Sequence, residues 1–167
     1  MILQTDRLLL RELNPDDAGD LYQLNLDPDV IKYTGDDAFK TVEAAAAFLK
    51  AYDDYLKNGY GRWAMIEKET GAFIGWCGLK FHADANETDI GFRLFKQYWN
   101  KGFATEAASA CLDYGFKTLY IKSIIGRAMA DNTASIRVLE KIGLTFEKPF
   151  EFHGGPGVIY RIEKPQN

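Results

Sequence analysis

A strand-like run, Ile90-Gly91-Phe92-Arg93-Leu94, gives way to an alanine-rich helix through Tyr98-Trp99-Asn100-Lys101-Gly102-Phe103-Ala104-Thr105-Glu106. The first amides of a helix lack intrahelical acceptors and sit at the positive end of its dipole, so an anion is stabilised there. Small Gly102 and Ala104 permit close approach, Lys101 adds a mobile charge, and Thr105 adds a hydroxyl in the first turn. An ordinary strand-to-helix corner would use the backbone freedom of Gly102 equally well, and this segment alone does not separate the two. Two better-known phosphate loops are excluded by residue order. Lys101 precedes the glycine instead of following it, and Gly102 stands alone where a dinucleotide fingerprint needs three spaced glycines. Gly154-Gly155-Pro156-Gly157 reads as a turn, because Pro156 removes a donor and no helical pattern follows.

A chain of 167 residues fits one domain, 1–167. Its net charge of −4, with both signs interspersed, gives no basic footprint for direct nucleic-acid binding. No apolar run approaches the roughly 18 residues of a membrane span, and Asp6 and Arg7 interrupt any signal-like core. A soluble, cytoplasmic protein is expected, as monomer or homodimer. Cys77 and Cys111 read as buried reduced thiols, and with only His82 and His153 available no metal site is expected.

Alternation around Leu8 and Leu10 predicts a strand from Arg7 to Glu12, after which Asn14-Pro15-Asp16-Asp17 caps a helix burying Ala18, Leu21 and Leu24. Phe48, Leu49, Tyr52 and Leu56 at helical spacing predict one helix from Thr41 to Lys57, ended by Asn58-Gly59. Thr41 fits its N-cap, although Ala44 supplies no reciprocal half of a capping box. Arg62 to Lys68, Phe73 to His82 and Thr88 to Leu94 then read as an antiparallel meander, with Trp63 and Trp76 in the core. A helix from Phe103 to about Thr118, a strand Ser123 to Met129, a helix Thr133 to Lys141 and strands Thr145 to Phe152 and Val158 to Glu163 complete the chain.

The segment Tyr98 to Ala107 resembles the coenzyme loop of the GNAT N-acetyltransferases, Gln/Arg-x-x-Gly-x-Gly/Ala, with Trp99 at the Gln/Arg position. That wording, together with Thr5-Asp6-Arg7-Leu8-Leu9-Leu10-Arg11, Asp27-Pro28-Asp29-Val30, Gly71-Ala72-Phe73-Ile74-Gly75 and Asn132 to Gly143, is similar to the RimJ/RimL branch, which includes ribosomal-protein N-terminal acetyltransferases. The resemblance spans nearly the whole chain. It implies an α/β (α+β) fold, with a mixed, mostly antiparallel sheet of about seven strands flanked by about four helices, the same order that the periodicity gives.

The resemblance also implies acetyl-CoA as co-substrate and direct attack of an amine on its thioester, so that most of the catalysis is positioning. Backbone groups of Asn100, Lys101, Gly102, Phe103, Ala104 and Thr105 would hold the pyrophosphate. The strand edge from Phe92 to Leu94 would pair with the pantetheine, and Asn132 would help from the opposite strand's end while also fitting a helix N-cap. Asp89 is the first candidate for a general base and Glu87, on the same strand face, the second; both also fit solvated edge carboxylates. Leu139 stands where many relatives have a thiolate-protonating tyrosine, which leaves Ser135 as the nearest hydroxyl, either donating to sulfur or bonding backbone. Loop position marks Tyr33, Phe81, His82, Phe152 and His153 for acceptor recognition, and Trp99 for the wall of the coenzyme loop. Three readings follow. The first is acetylation of a protein or peptide α-amine, the second acetylation of a small amine such as a polyamine, aminoglycoside or amino acid, and the third a non-catalytic acyl-CoA sensor.

Overall fold

A computed structural model describes residues 1–166. Strand β1 (Leu3–Gln4) pairs with β2 (Leu8–Glu12), where alternation buries Leu8 and Leu10 completely. A capped turn at Asn14 leads to helix α1 (Ala18–Leu26), followed by the short α2 (Pro28–Ile31), α3 (Val42–Ala51) and the short α4 (Asp54–Asn58). The meander β3 (Arg62–Glu67), β4 (Phe73–His82) and β5 (Glu87–Leu94) continues into α5 (Phe103–Lys117) and β6 (Ser123–Met129). Helix α6 (Thr133–Lys141), β7 (Thr145–Phe152) and β8 (Gly155–Glu163) close the fold. The eight strands form one sheet in the order β1-β2-β3-β4-β5-β6-β8-β7, antiparallel except at β5 and β6. A parallel pair requires a crossover, and α5 supplies it.

The sheet separates two cores. Trp63, Met65, Cys77, Leu79, Ile90 and Ile124 pack under α5 and α6, while Ala64 and Phe73 pack under α1 and α3 with Leu21, Leu24, Ala45 and Leu49. Cys77 and Cys111 are fully buried with their sulfurs 3.8 Å apart.

The architecture matches the expected class and adds three features. First, β1 pairs over only two residues, too few for a periodic signal. Second, the expected helix from Thr41 to Lys57 breaks at Tyr52 and Asp53. The Tyr52 hydroxyl accepts from the Arg62 amide at 2.8 Å, and the Tyr55 hydroxyl donates to the Arg62 carbonyl and accepts from the Leu13 amide at 2.9 Å. A break in the axis brings both rings to the head of β3. Third, the turn before β8 is only His153-Gly154, both left-handed at φ +51° and +80°, which suits a two-residue hairpin. Gly155, Pro156 and Gly157 are therefore already paired, with Phe152, Glu151 and Phe150.

Candidate active site

Strands β5 and β6 share one register pair, Asp89 with Ile125, and part beyond it. The Phe95 amide donates to the Ile74 carbonyl at 3.0 Å, so antiparallel alternation turns the backbone groups of Arg93 and Gly91 toward β4 and those of Phe92 and Leu94 toward the gap. The Leu94 carbonyl there accepts the Trp99 indole N–H at 3.0 Å, which fastens the end of β5 to the following turn. A cavity of about 600 Å³ passes through the split. Trp76, His82, Asp89 and Arg93 line it on the face of α1 and α3, and Ala128, Ser135 and Leu139 line it on the face of α6.

At the N-terminus of α5, Asn100 and Gly102 take left-handed conformations at φ +60° and +80°. The first helical bond runs from the Glu106 amide to the Gly102 carbonyl, leaving the amides of Phe103, Ala104 and Thr105 without intrahelical acceptors. Arg7 braces this loop from outside. It donates to the Lys101 carbonyl at 2.9 Å, pairs with Glu106 at 2.8 Å, and lays its guanidinium over the Phe103 ring at 4.1 Å. Burial works to raise the Glu106 pKa, but hydrogen bonds from Thr5 and Arg7 hold it below the usual range. In the sequence Arg7 is only a landmark of the resemblance. Its partners lie 94 and 99 residues away, beyond the reach of any local pattern. We expect Arg7→Ala to leave the fold intact and to weaken acetyl-CoA binding severalfold by calorimetry, because the amides lose their fixed aim. An unchanged affinity would mean that the loop holds its own shape.

Asp89 is 5% exposed and held between two side chains. Oδ2 meets His82 Nε2 at 2.5 Å, and Oδ1 lies 2.7 Å from Arg62 Nη1. The second contact is an ion pair off the hydrogen-bond axis, since Nη1 directs its protons at the Gly78 and Asp89 carbonyls, and Oδ1 itself has no hydrogen-bond partner among the described residues. Burial would raise the carboxyl pKa, yet the Arg62 charge and the His82 hydrogen bond outweigh it and lower the pKa to about 2. Glu87 sits in a two-pronged ion pair with Arg161, which also holds Glu147 and Ser123. Neither carboxylate is a solvated edge group, because Arg62 of β3 and Arg161 of β8 each reach across an intervening strand to meet them.

Asn132 caps α6, its side chain accepting from the Ser135 amide at 3.2 Å, and it also lines the cavity. The Ser135 hydroxyl lines the cavity and has no hydrogen bond among the described residues. Leu139 is 2% exposed and lies on Gly126. Of the aromatic candidates, Tyr33, His82, Phe152 and His153 meet at the cavity, where the His153 ring leaves no room for a Cβ at Gly35. Phe81 does not join them, because strand alternation puts it on the opposite face from His82. Trp76 is a second departure: it is only half-buried and lies on the cavity wall between Arg62 and Arg93, with both guanidinium groups about 5 Å from its ring. Arg93 in turn donates to Asn25 at 2.9 Å and Asp36 at 2.8 Å, tying α1 to the loop before α3.

A split parallel strand pair, free amides at the braced N-terminus of α5, and an open cavity lined by charged and aromatic side chains are features that would let an acyl-coenzyme and an acceptor meet within one sheet. The model of the acetyltransferase (GNAT) domain matches residues 7–145. An uncharacterized N-acetyltransferase p20 from Bacillus licheniformis is 36% identical over 87% of this chain and 82% of its own length. A GNAT-family acetyltransferase structure from Bacillus anthracis superposes with a TM-score of 0.83 at 31% identity, covering 97% of this chain and 98% of the other. Spermidine N-acetyltransferase from Vibrio cholerae, solved with CoA and spermine, superposes at 0.79 but is 18% identical over 96% and 97% of the two chains, a likeness of fold. The chain belongs to the GNAT acetyltransferase family and is an acetyl-CoA-dependent N-acetyltransferase.

Proposed function

We propose that this enzyme acetylates a primary α-amine, in keeping with the RimJ/RimL-like wording of its sequence, and that His82 is the general base, positioned by Asp89. The observation that carries this reading is the His82–Asp89 contact on the wall of the through-sheet cavity, at the last paired row of β5 and β6. Acetyl-CoA, when bound, supplies the thioester carbonyl. The cradle amides of Phe103, Ala104 and Thr105 fit its pyrophosphate, and the gap-facing backbone of Phe92 and Leu94 fits its amides.

A carboxylate with a pKa of about 2 is a poor acceptor of an amine proton. It is a good anchor for an imidazole. With Nε2–H donated to Asp89, the remaining ring nitrogen of His82 is left as the proton acceptor. An α-amine, with a pKa of roughly 7.7–8.0, is already partly neutral at physiological pH and needs only that modest base. Ser135, which lines the cavity from the α6 face, would donate to the departing sulfur.

The charges in the cavity separate acceptors. A polyamine at neutral pH is a polycation and needs unpaired carboxylates. Here Asp89 is committed to Arg62 and Asp36 to Arg93; Asp37 is the one cavity carboxylate outside an ion pair among the described residues, and two cations, Lys80 and Arg127, line the same space. Measuring CoA thiol release across peptides with free Ala, Ser or Met N-termini, amino acids, polyamines and aminoglycosides tests the reading. Turnover confined to polyamines would overturn it. His82→Gln should lower kcat by roughly a hundredfold at pH 7, the low end of general-base effects, and by much less above pH 9, where the amine deprotonates unaided. A uniform loss at every pH would remove His82 as base.

A further inference from the structure

We infer that Arg127 forms an anion subsite at the acceptor end of the cavity, and that the α-amine substrate carries a carboxylate placed to meet it. This rests on the acetyl-transfer reading for the amine, but the subsite stands on its own geometry. Alternation along β6 puts Arg127 on the face of Ile125 and Asp89, opposite Gly126, which lies under Leu139 of α6. It is two residues beyond the last bridge, on the far lip of the split. Among the described residues its side chain makes no ion pair and no hydrogen bond, and its Nε is buried without a partner. A buried guanidinium nitrogen without an acceptor is unfavourable, so the site is incomplete as a purely structural element.

The other two arginines of the cavity show the contrast. Arg62 is matched by Asp89, and Arg93 by Asp36 and Asn25. Among the described residues Arg127 has only the Phe150 ring, 5.8 Å from its guanidinium carbon, which supports a face and leaves the in-plane donors without protein acceptors. Those donors match the two oxygens of a carboxylate. Lys80 lines the same cavity without an ion pair among the described residues, so its charge offsets that of Asp37, which is likewise unpaired there. The coenzyme is not the source of this anion. Its cradle lies at the start of α5, which packs on the opposite face of the sheet from Arg127. A ligand whose amine lies at His82 and whose anion reaches Arg127 is therefore an amino acid, or a peptide with an acidic residue near its free N-terminus.

Calorimetric titrations in saturating CoA distinguish these sources, using L-alanine against L-alaninamide, and Ala-Glu-Ala-Ala amide against Ala-Gln-Ala-Ala amide. The wild-type enzyme should bind the carboxylate member of at least one pair about tenfold or more tightly than its neutral counterpart, the scale of a charged hydrogen-bonded contact. That preference should disappear in Arg127→Gln and partly return in Arg127→Lys. Comparing ratios across variants cancels differences in amine basicity within each pair. The responding pair identifies the source, the ligand's own α-carboxylate or a side chain of the peptide. No preference in either pair, or one that Arg127→Gln leaves intact, overturns the subsite. Thiol release on the same ligands is a separate readout. An Arg127-dependent binding preference without turnover would keep the subsite and remove the α-amine reading, whereas turnover without preference would do the reverse.

Discussion

Replacing Gly102 with glutamate is expected to eliminate measurable acetyl-CoA binding while leaving the fold in place. Two separate effects act at this position. Gly102 has φ +80°, a left-handed conformation that costs an L-residue about 1–2 kcal/mol. An added Cβ would also lie 3.3 Å from Arg7 Nη2, close enough that the bracing arginine must give. Gly102→Ala measures these backbone and steric effects alone and should weaken binding about tenfold. The glutamate adds a negative charge beside the amides of Phe103, Ala104 and Thr105, where the pyrophosphate fits. Two like charges about 4 Å apart at an effective dielectric near 20 repel by about 4 kcal/mol, roughly a further thousandfold. Calorimetry of both variants, with a thermal melt to establish folding, separates the contributions. Wild-type affinity in a folded Gly102→Glu variant would place the phosphates elsewhere.

The strand–glycine–helix corner with its free amides was readable in the sequence because its determinants are contiguous: a strand, a lone glycine and an alanine-rich helix within one stretch. The same holds for the strands: β2 keeps its alternation, while β3 to β6, covered on both faces, read as short apolar runs with consecutive buried residues. What was not readable depends on contacts between distant residues. Asp89 and Glu87 share a strand face as their spacing requires, but what they do is set by Arg62 and Arg161, which are 27 and 74 residues away in the chain. Those arginines turn two candidate bases into members of ion pairs. Helix propensity runs unbroken through Tyr52 and Asp53, so the bend there comes from two tyrosine hydroxyls finding the backbone of Arg62, a tertiary effect. Phe81 is a different case, since Phe81 and His82 are adjacent on one strand and parity alone forbids both from entering the same cavity. The role of Arg127 was invisible for the opposite reason: what singles it out is a partner that the folded chain does not provide.

Asp89→Asn is expected to destabilise the protein by about 3–5 kcal/mol at pH 7, the usual effect of removing one member of a buried ion pair, and a large part of a total near 5–15 kcal/mol. The substitution keeps shape and volume, so it changes charge alone and leaves Arg62, with its side chain 17% exposed, without an anion. The acid response of the wild type provides an independent measure. The Asp89 pKa is about 2 in the folded state and 3.8 without the fold, so the ionised carboxylate stabilises fully above pH 3.8. That contribution declines as pH falls from 3.8 toward 2 and is worth about 2 kcal/mol by linkage. It is the smaller figure because a protonated carboxyl still bonds His82, whereas the asparagine forces a new arrangement on both neighbours. Glu106 and Glu147 also have lowered pKa values, so the informative quantity is the difference between the wild-type and variant urea curves at pH 7, 4 and 2.5. The gap should narrow as pH falls, and Arg62→Met in the Asp89→Asn background should restore part of the lost stability by removing the unmatched cation. Parallel curves with no rescue would mean that the pair contributes nothing to folding, leaving the orientation of His82 as the only role supported for Asp89.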